Sequence, residues 1–402
     1  MNRKRKKLLQ CIPLLLLSVC CYLSGCSADS AGETVSSPSE SPAETADSDG
    51  VEGTDWEEMV CTGTMELSYA EEFSVDYYGE YRLITVAGED QYLVVPEDAA
   101  VPENLPEEIV ILAQPLDRIY LVATSAMDLF RALDGIGNIR LSGTDASGWY
   151  IEEAAAAIES GDMLYAGKYS APDYELILSE DCDLAIESTM IYHTPEVKEQ
   201  LEELGIPVFV ERSSYESDPL GRMEWIKVYG TMLGKEAEAE EFFRTEIEAL
   251  SDVLEQENTG RAVAYFYITA NGAANIHKPG DYIAKMIELA GGQYAITSVE
   301  TDDTATSTMN MQMEDFYLEA KDADVLIYNS TIDGELETID DLLAKSELLA
   351  DFRAVQEGNV WCTNNNMFQE STGIGTMIQE IHAILTEEDL DDSGLVYLHR
   401  LE

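Results

Sequence analysis

The chain has 402 residues, of which 79 are Asp or Glu and only 23 are Lys or Arg, for a formal charge of −56. A surface this anionic is repelled by phosphate backbones and anionic lipid head groups, which excludes nucleic acid as a partner and gives electrostatics no part in membrane attachment. With 45% hydrophobic residues the chain can bury more than one core, since domains run to roughly 100–200 residues.

Positions 1–25 read as an export leader. Arg3, Lys4, Arg5, Lys6 and Lys7 form a cationic head, residues 12–23 are mostly apolar, and Ser24 and Gly25 leave room for a peptidase. The apolar run is shorter than the ~20 residues that a membrane span needs. The sequence LSGC ending at Cys26 resembles the lipobox of bacterial lipoproteins, which implies lipidation of Cys26 and makes it the first mature residue. Acyl chains, at roughly 0.8 kcal/mol per buried CH₂, then anchor the protein to the membrane. Residues 26–54 are Ser, Glu, Asp, Pro, Ala and Gly with almost no large apolar side chain, so a disordered tether is expected. Cys61, Cys182 and Cys362 remain beyond it, with neither metal spacing nor a disulfide framework.

Segment 55–218 opens with β-rich runs at 73–77, 81–86 and 91–95. Pro96, Pro102 and Pro106 punctuate the way to apolar runs at 109–112 and 118–123; the second is nearly continuous, as in a parallel strand buried on both faces. A strand at 183–186, a loop through His193, a helix from Thr194 to Leu204 and a strand at 206–210 follow. Thr194 is the expected N-cap, Pro195 opens the first turn, Val197, Leu201 and Leu204 share one face, and Gly205 stops the helix. Across 219–257, Ile226, Tyr229, Leu233, Phe243, Ile247, Leu250 and Leu254 recur at three- and four-residue spacing, which predicts one very long helix eased at Gly230 and Gly234. A second α/β run, 258–402, carries predicted strands at 261–269, 324–328 and 359–363 and helices at 281–290 and 373–385. The fold class is α/β: two Rossmann-like lobes joined by one long backbone helix that holds them nearly rigid.

From about residue 81 to 385 the chain resembles the class III solute-binding proteins of ABC importers, which deliver ferric siderophores, haem and vitamin B12. RIYLVATSAMDLFRALDGI at 118–136 is similar to the family's opening strand, ligand-facing turn and helix, and PDYELILSEDCDLAI at 172–186 to its helix and strand, with Cys182 where a proline is usual. PLGRMEWI at 219–226 resembles a subgroup that takes ring-shaped or iron-complex ligands, and AKDADVLIY at 320–328 repeats the helix-to-strand step. The resemblance implies a monomeric receptor without a cofactor of its own, and one glutamate on each lobe that docks onto permease arginines. By position these are Glu175 and, with a shifted register and Asp315 as competitor, Glu314. Either acid also suits a helix start without any partner.

Ligands of open α/β sheets lie beyond the carboxyl ends of the strands. In the first lobe this points to Thr124, Ser125, Met127, Tyr165, Lys168, Tyr169, Thr189, Met190, Tyr192, His193, Tyr215 and Arg222. In the second it points to Asn271, His277, Lys278, Ser330, Thr331, Asn365, Met367 and Phe368. Tyrosines and methionines among hydroxyls and amides suit a broad, partly apolar chelate or ring. His193 and His277, two of only four histidines, fall in predicted loops on opposite lobes and are candidate axial ligands for haem iron. His382 and His399 read as structural, and the histidine spacing argues against bare zinc or manganese. The scarcity of arginine favours haem, corrinoids or neutral to cationic siderophores over polyanionic ones. A secreted hydrolase is the rival from another class, but no nucleophile elbow, P-loop, HExxH or dinucleotide fingerprint is present. A surface sensory or adhesion lipoprotein on the same fold is the other alternative.

Overall fold

The structure is a computed structural model and describes residues 54–299, 307–387 and 390–402. The leader, Cys26 and all but the last residue of the tether lie outside the described residues.

The first β-rich segment is a sheet of its own. Strands β1 (Gly63–Thr64), β2 (Phe73–Tyr78), β3 (Tyr81–Val86) and β4 (Asp90–Val95) form an antiparallel meander, and β5 (Ile109–Ala113) adds parallel to β4. Alternating burial along β2 puts Phe73 and Val75 into the main core, where Phe73 meets Trp225 edge-on at 5.2 Å. The connecting loop is held by two buried carboxylates. Glu224 accepts the backbone N–H groups of Ser68, Tyr69 and Ala70, and Glu216 those of Glu71 and Glu72.

The first lobe contains β6 (Ile119–Leu121), α1 (Ala126–Ala132), β7 (Ile139–Ser142), α2 (Glu152–Ser160) and β8 (Leu164–Tyr165). It continues through a small hairpin of β9 (Gly167–Lys168) and β10 (Ala171–Pro172) to α3 (Tyr174–Ser179), β11 (Leu184–Ser188), α4 (Pro195–Glu203) and β12 (Val208–Glu211). The parallel sheet runs β12-β11-β6-β7-β8. Every residue of β6 is buried, as its unbroken apolar run requires, and α4 buries Val197 and Leu201 on one face.

The predicted single rod at 219–257 is divided. Helices α5 (Pro219–Glu224), α6 (Ile226–Leu233) and α7 (Glu236–Leu254) follow one another, and Gly234, at φ +67°, ends α6 in a left-handed cap. Only the 19-residue α7 serves as the long interlobe helix. It folds back so closely that a Cβ on Gly230 would lie 2.6 Å from the Cβ of Ala239 and 3.0 Å from the Lys235 carbonyl oxygen. Gly230→Ala is therefore expected to lower stability by about 1–3 kcal/mol through overpacking, read as a lower urea midpoint at unchanged slope.

The second lobe has β13 (Ala262–Ile268), β14 (Ala274–His277), α8 (Tyr282–Leu289), β15 (Gln293–Tyr294), β16 (Thr308–Met311), α9 (Met313–Ala320), β17 (Val325–Tyr328), α10 (Ile339–Lys345), α11 (Arg353–Glu357), β18 (Val360–Thr363), α12 (Ile374–Thr386) and β19 (Leu398–Arg400). Its parallel strands run β18-β17-β13-β15, which repeats the β12-β11-β6-β7 order of the first lobe; β14, β16 and β19 are antiparallel additions. Cys61, Cys182 and Cys362 are free thiols. No helix among the described residues is long and apolar enough to cross a membrane.

Candidate ligand-binding site

The carboxyl ends of the first-lobe strands build one face. After β12, the turn Ser213–Tyr215 presents Tyr215; after β11, the turn Thr189–His193 presents Met190, Tyr192 and His193; the loop after β7 ends at Tyr150; and β8 itself ends at Tyr165. Tyr150, Tyr165, Tyr192 and Tyr215 are 51, 47, 48 and 38% exposed, and Met190 is 45% exposed. Four of the five strand ends thus carry an exposed tyrosine. The fifth, β6, sits in the middle and ends in the smaller, half-buried Thr124 and Ser125. At about 4.8 Å between neighbouring strands, the row spans roughly 19 Å. Lys168 is exposed and Tyr169 half-buried in the adjoining hairpin.

Between the lobes lies a narrow cavity of about 70 Å³. Ser125, Ser213, Ser214 and Arg222 face Tyr282 and Met286 of α8, Met367, Phe368 and Ser371 of the loop after β18, Met377 of α12, and Tyr397. The Arg222 guanidinium stacks 3.3 Å from the Tyr282 ring centre while Nε and Nη2 donate to the Glu216 and Ser214 carbonyls. Burial pushes the Tyr282 hydroxyl up to about 12, against the opposing pull of Arg222. Glu211 supports the floor: it accepts from the Ser213 N–H at 2.7 Å and from Ser125 Oγ at 3.3 Å, and burial raises its pKa.

The lobes are tied beside this cavity. Ser371 Oγ donates to the Ser125 carbonyl at 2.7 Å, the Thr372 N–H to buried Asp128 at 2.8 Å, and Gln369 both donates to the Gly148 carbonyl and accepts from the Tyr150 N–H.

Several expected positions lie elsewhere. Met127 is fully buried in the core face of α1. Ser330 is 1% exposed and its hydroxyl is 3.0 Å from that of Thr363, so it fastens β17 to β18. His277 belongs to β14 rather than a loop, is 7% exposed, places Nδ1 2.5 Å from Asp281, and packs edge-on against Tyr265 and Tyr282. It stands behind the Tyr282 wall and is not placed as an axial ligand. Asn271 is exposed but accepts from the Thr269 hydroxyl within its turn, and the Asn365 N–H donates to Glu335 at 2.6 Å. His193 is exposed at the end of its turn. Tyr150, Ser213, Tyr282, Met286 and Tyr397 were not singled out from sequence; only the strand-end rule applied to β7 and β12 would have found the first two. Among the described residues no group of three or more His, Cys, Asp or Glu is disposed to hold a metal ion.

A family model described as periplasmic binding protein matches residues 123–366. The chain belongs to that family. The periplasmic haem-binding protein HutB of Vibrio cholerae shares the fold with a TM-score of 0.54 at 19% identity, covering 67% of this chain and 98% of HutB. An ABC-type Fe³⁺-hydroxamate transport protein from Saccharomonospora viridis gives 0.52 at 20% identity, covering 68% and 94%. An uncharacterized lipoprotein of Methanocaldococcus jannaschii is 24% identical over 336 residues, 76% of this chain and 78% of the relative. The class III fold expected from the sequence is therefore present, and the role that goes with the family is solute binding. The sheet β1–β5 precedes the matched residues.

Proposed function

We propose that this chain is the extracytoplasmic receptor of an ABC importer, lipid-anchored through Cys26, which captures haem, a corrinoid or an iron–siderophore between its lobes and delivers it to a membrane permease. The division at 55–218, 219–257 and 258–402 serves this purpose: two binding lobes with the three successive helices α5, α6 and α7 between them. The tyrosine row carries the reading. Four phenols on one sheet edge offer a wide face for stacking and hydroxyls for orientation, which suits a large, flat or globular chelate better than an amino acid or a sugar. Arg222 spends two donors on carbonyls, and Arg212 is stacked 4.2 Å from the Tyr215 ring with Nε on Glu72, so little guanidinium is left for a polyanionic siderophore. Haem, corrinoids and hydroxamate chelates fit this charge pattern. His193, beside Tyr192, is the axial-ligand candidate that remains. Glu175 and Glu314, both exposed, are the second residues of α3 and α9 and serve as the acids for permease docking.

Titration of the intact chain with haem, cobalamin and a panel of ferric siderophores tests this. Saturable, one-to-one quenching of tryptophan emission by one of them is expected, with Trp149 next to Tyr150 as the reporter. A Soret shift lost in His193→Ala or Tyr192→Phe would specify haem; no response to any ligand would overturn the proposal.

A further inference from the structure

The interlobe cavity, at about 70 Å³, is far below the roughly 300–1,000 Å³ of sites that take small molecules. A solute seated on the tyrosine row therefore parts some of the ties beside it, and those ties are not equal. Thr372 donates its N–H and its hydroxyl to Asp128, which is fully buried and held by Arg131 at 2.6 Å. Gln369 is only half-buried, and its partners are backbone groups of the first lobe at exposed Tyr150. Its Nε2 donates to the Gly148 carbonyl at 2.8 Å and its Oε1 accepts from the Tyr150 N–H at 2.7 Å.

That backbone pair is held in place by its own lobe. Asp145 accepts from the Ser147 and Gly148 N–H groups at 3.0 and 3.2 Å, and Trp149, between the two partners, is buried and donates Nε1 to Ser142 Oγ at 3.1 Å. One acceptor and one donor thus converge on a single amide. The chemistry that satisfies both is narrow. A primary carboxamide presents an N–H and a C=O on one edge, whereas a carboxylate has no proton for the Gly148 carbonyl. A trans secondary amide points its N–H and C=O in opposite directions.

We infer that Gly148 and Tyr150 form a carboxamide subsite within the tyrosine row, which Gln369 fills with its own amide, and that the solute which replaces Gln369 there is a corrinoid. This rests on the receptor reading above and narrows it. A corrin ring carries primary carboxamide arms around its rim, haem carries propionates, and the amides of hydroxamate siderophores are secondary. With the ring on Tyr165, Tyr192 and Tyr215, one arm reaches the subsite and exchanges amide for amide, so hydrogen bonds are broken and re-formed in equal number and no charge is desolvated. A neutral rim also suits a chain of charge −56, which repels carboxylates.

The intact chain, Gln369→Ala and Gln369→Glu are titrated with dicyanocobinamide, haemin and ferrioxamine B, and near-ultraviolet circular dichroism verifies that the variants are folded. Alanine removes the internal competitor and glutamate turns it into a group that the Gly148 carbonyl repels. Dicyanocobinamide is expected to bind the unsubstituted chain and to bind Gln369→Ala roughly tenfold more tightly, the effect of removing a competitor held by two hydrogen bonds. Gln369→Glu should shift in the same direction, and haemin and ferrioxamine B should gain nothing. On the unsubstituted chain, the neutral heptamethyl ester of dicyanocobyrinic acid, the same ring without amide N–H groups, should bind at least about tenfold more weakly than dicyanocobinamide. Equal binding of amide and ester, no gain for dicyanocobinamide in the folded variants, or a gain shared by haemin and ferrioxamine B would overturn the subsite. Binding of haemin or a siderophore without dicyanocobinamide also overturns it and leaves the receptor reading in place, whereas no binding by these solutes or by the wider siderophore panel removes that reading as well.

Discussion

Glu224→Ala is expected to lower the unfolding free energy by about 3–5 kcal/mol, the cost of leaving buried charge and N–H groups without a partner. Glu224 is fully buried and accepts three successive backbone N–H groups, from Ser68 at 2.9 Å, Tyr69 at 2.8 Å and Ala70 at 2.9 Å. Its other neighbour is Lys227, 3.1 Å away and itself almost fully buried, which also reaches Glu240 and the Glu66 carbonyl. Alanine would strand the three N–H groups at once and leave Lys227 with Glu240 and the Glu66 carbonyl alone. Because the three N–H groups belong to the loop that leads into β2, the damage should concentrate in the N-terminal sheet. Urea denaturation should show the lower midpoint, and hydrogen exchange should show protection lost first across 73–113. A loss below about 1 kcal/mol with unchanged exchange in that sheet would mean that the carboxylate is not the clamp.

Glu187→Gln should make the protein more stable at pH 8 while changing little near pH 4.5. Both oxygens of Glu187, in β11, are buried without a hydrogen-bond partner, and burial pushes its pKa up to about 8. Tyr120 and Tyr174 feel its charge, and no cation offsets it. The folded protein therefore keeps the proton that the unfolded chain releases from about pH 4.5 upward. Stability is fully present below that pH and is lost as pH rises through about 8, with a total on the order of 5 kcal/mol. Glutamine keeps the shape and removes the proton. The difference in unfolding free energy between the two proteins should grow steadily from pH 4.5 to 8 and level off above. A difference that is flat with pH would show that Glu187 is ionised in the fold.

Much of the architecture could be read from local chemistry. The Thr194-Pro195 start and Gly205 stop delimit α4 to within a residue, and the buried run at β6 marks the centre of a parallel sheet. Gly234 was expected to ease the helix and instead ends it; apolar spacing continues through it, and a left-handed glycine with an abrupt turn leaves the 3.6-residue pattern on both sides intact. His277 was misplaced because Ala274–His277 is too short and too polar to signal a strand, and its pairing with β13 and β16 is set by partners distant in sequence. Met127 looked ligand-facing from its position after a strand, yet the rotation of α1 turns it to the core. In the site, the tyrosines that follow β8, β11 and β12 were legible from the strand-end rule. Tyr150 was missed because no strand was expected at β7, so the rule was not applied there, and the α8 and α12 side of the cavity was missed because interlobe packing decides it.

On the proposed function, the row of exposed tyrosines at the first-lobe strand ends receives the solute. Calorimetric titration of the cognate chelate into the intact chain and into Tyr165→Ala/Tyr192→Ala/Tyr215→Ala tests it most directly, since all three side chains are at least a third exposed and their loss should leave the unfolding midpoint in place. One-to-one binding is expected, weakened by at least a hundredfold in the triple variant, about 1 kcal/mol or more from each ring. Equal affinity in the two proteins would contradict it and move the binding site away from this face.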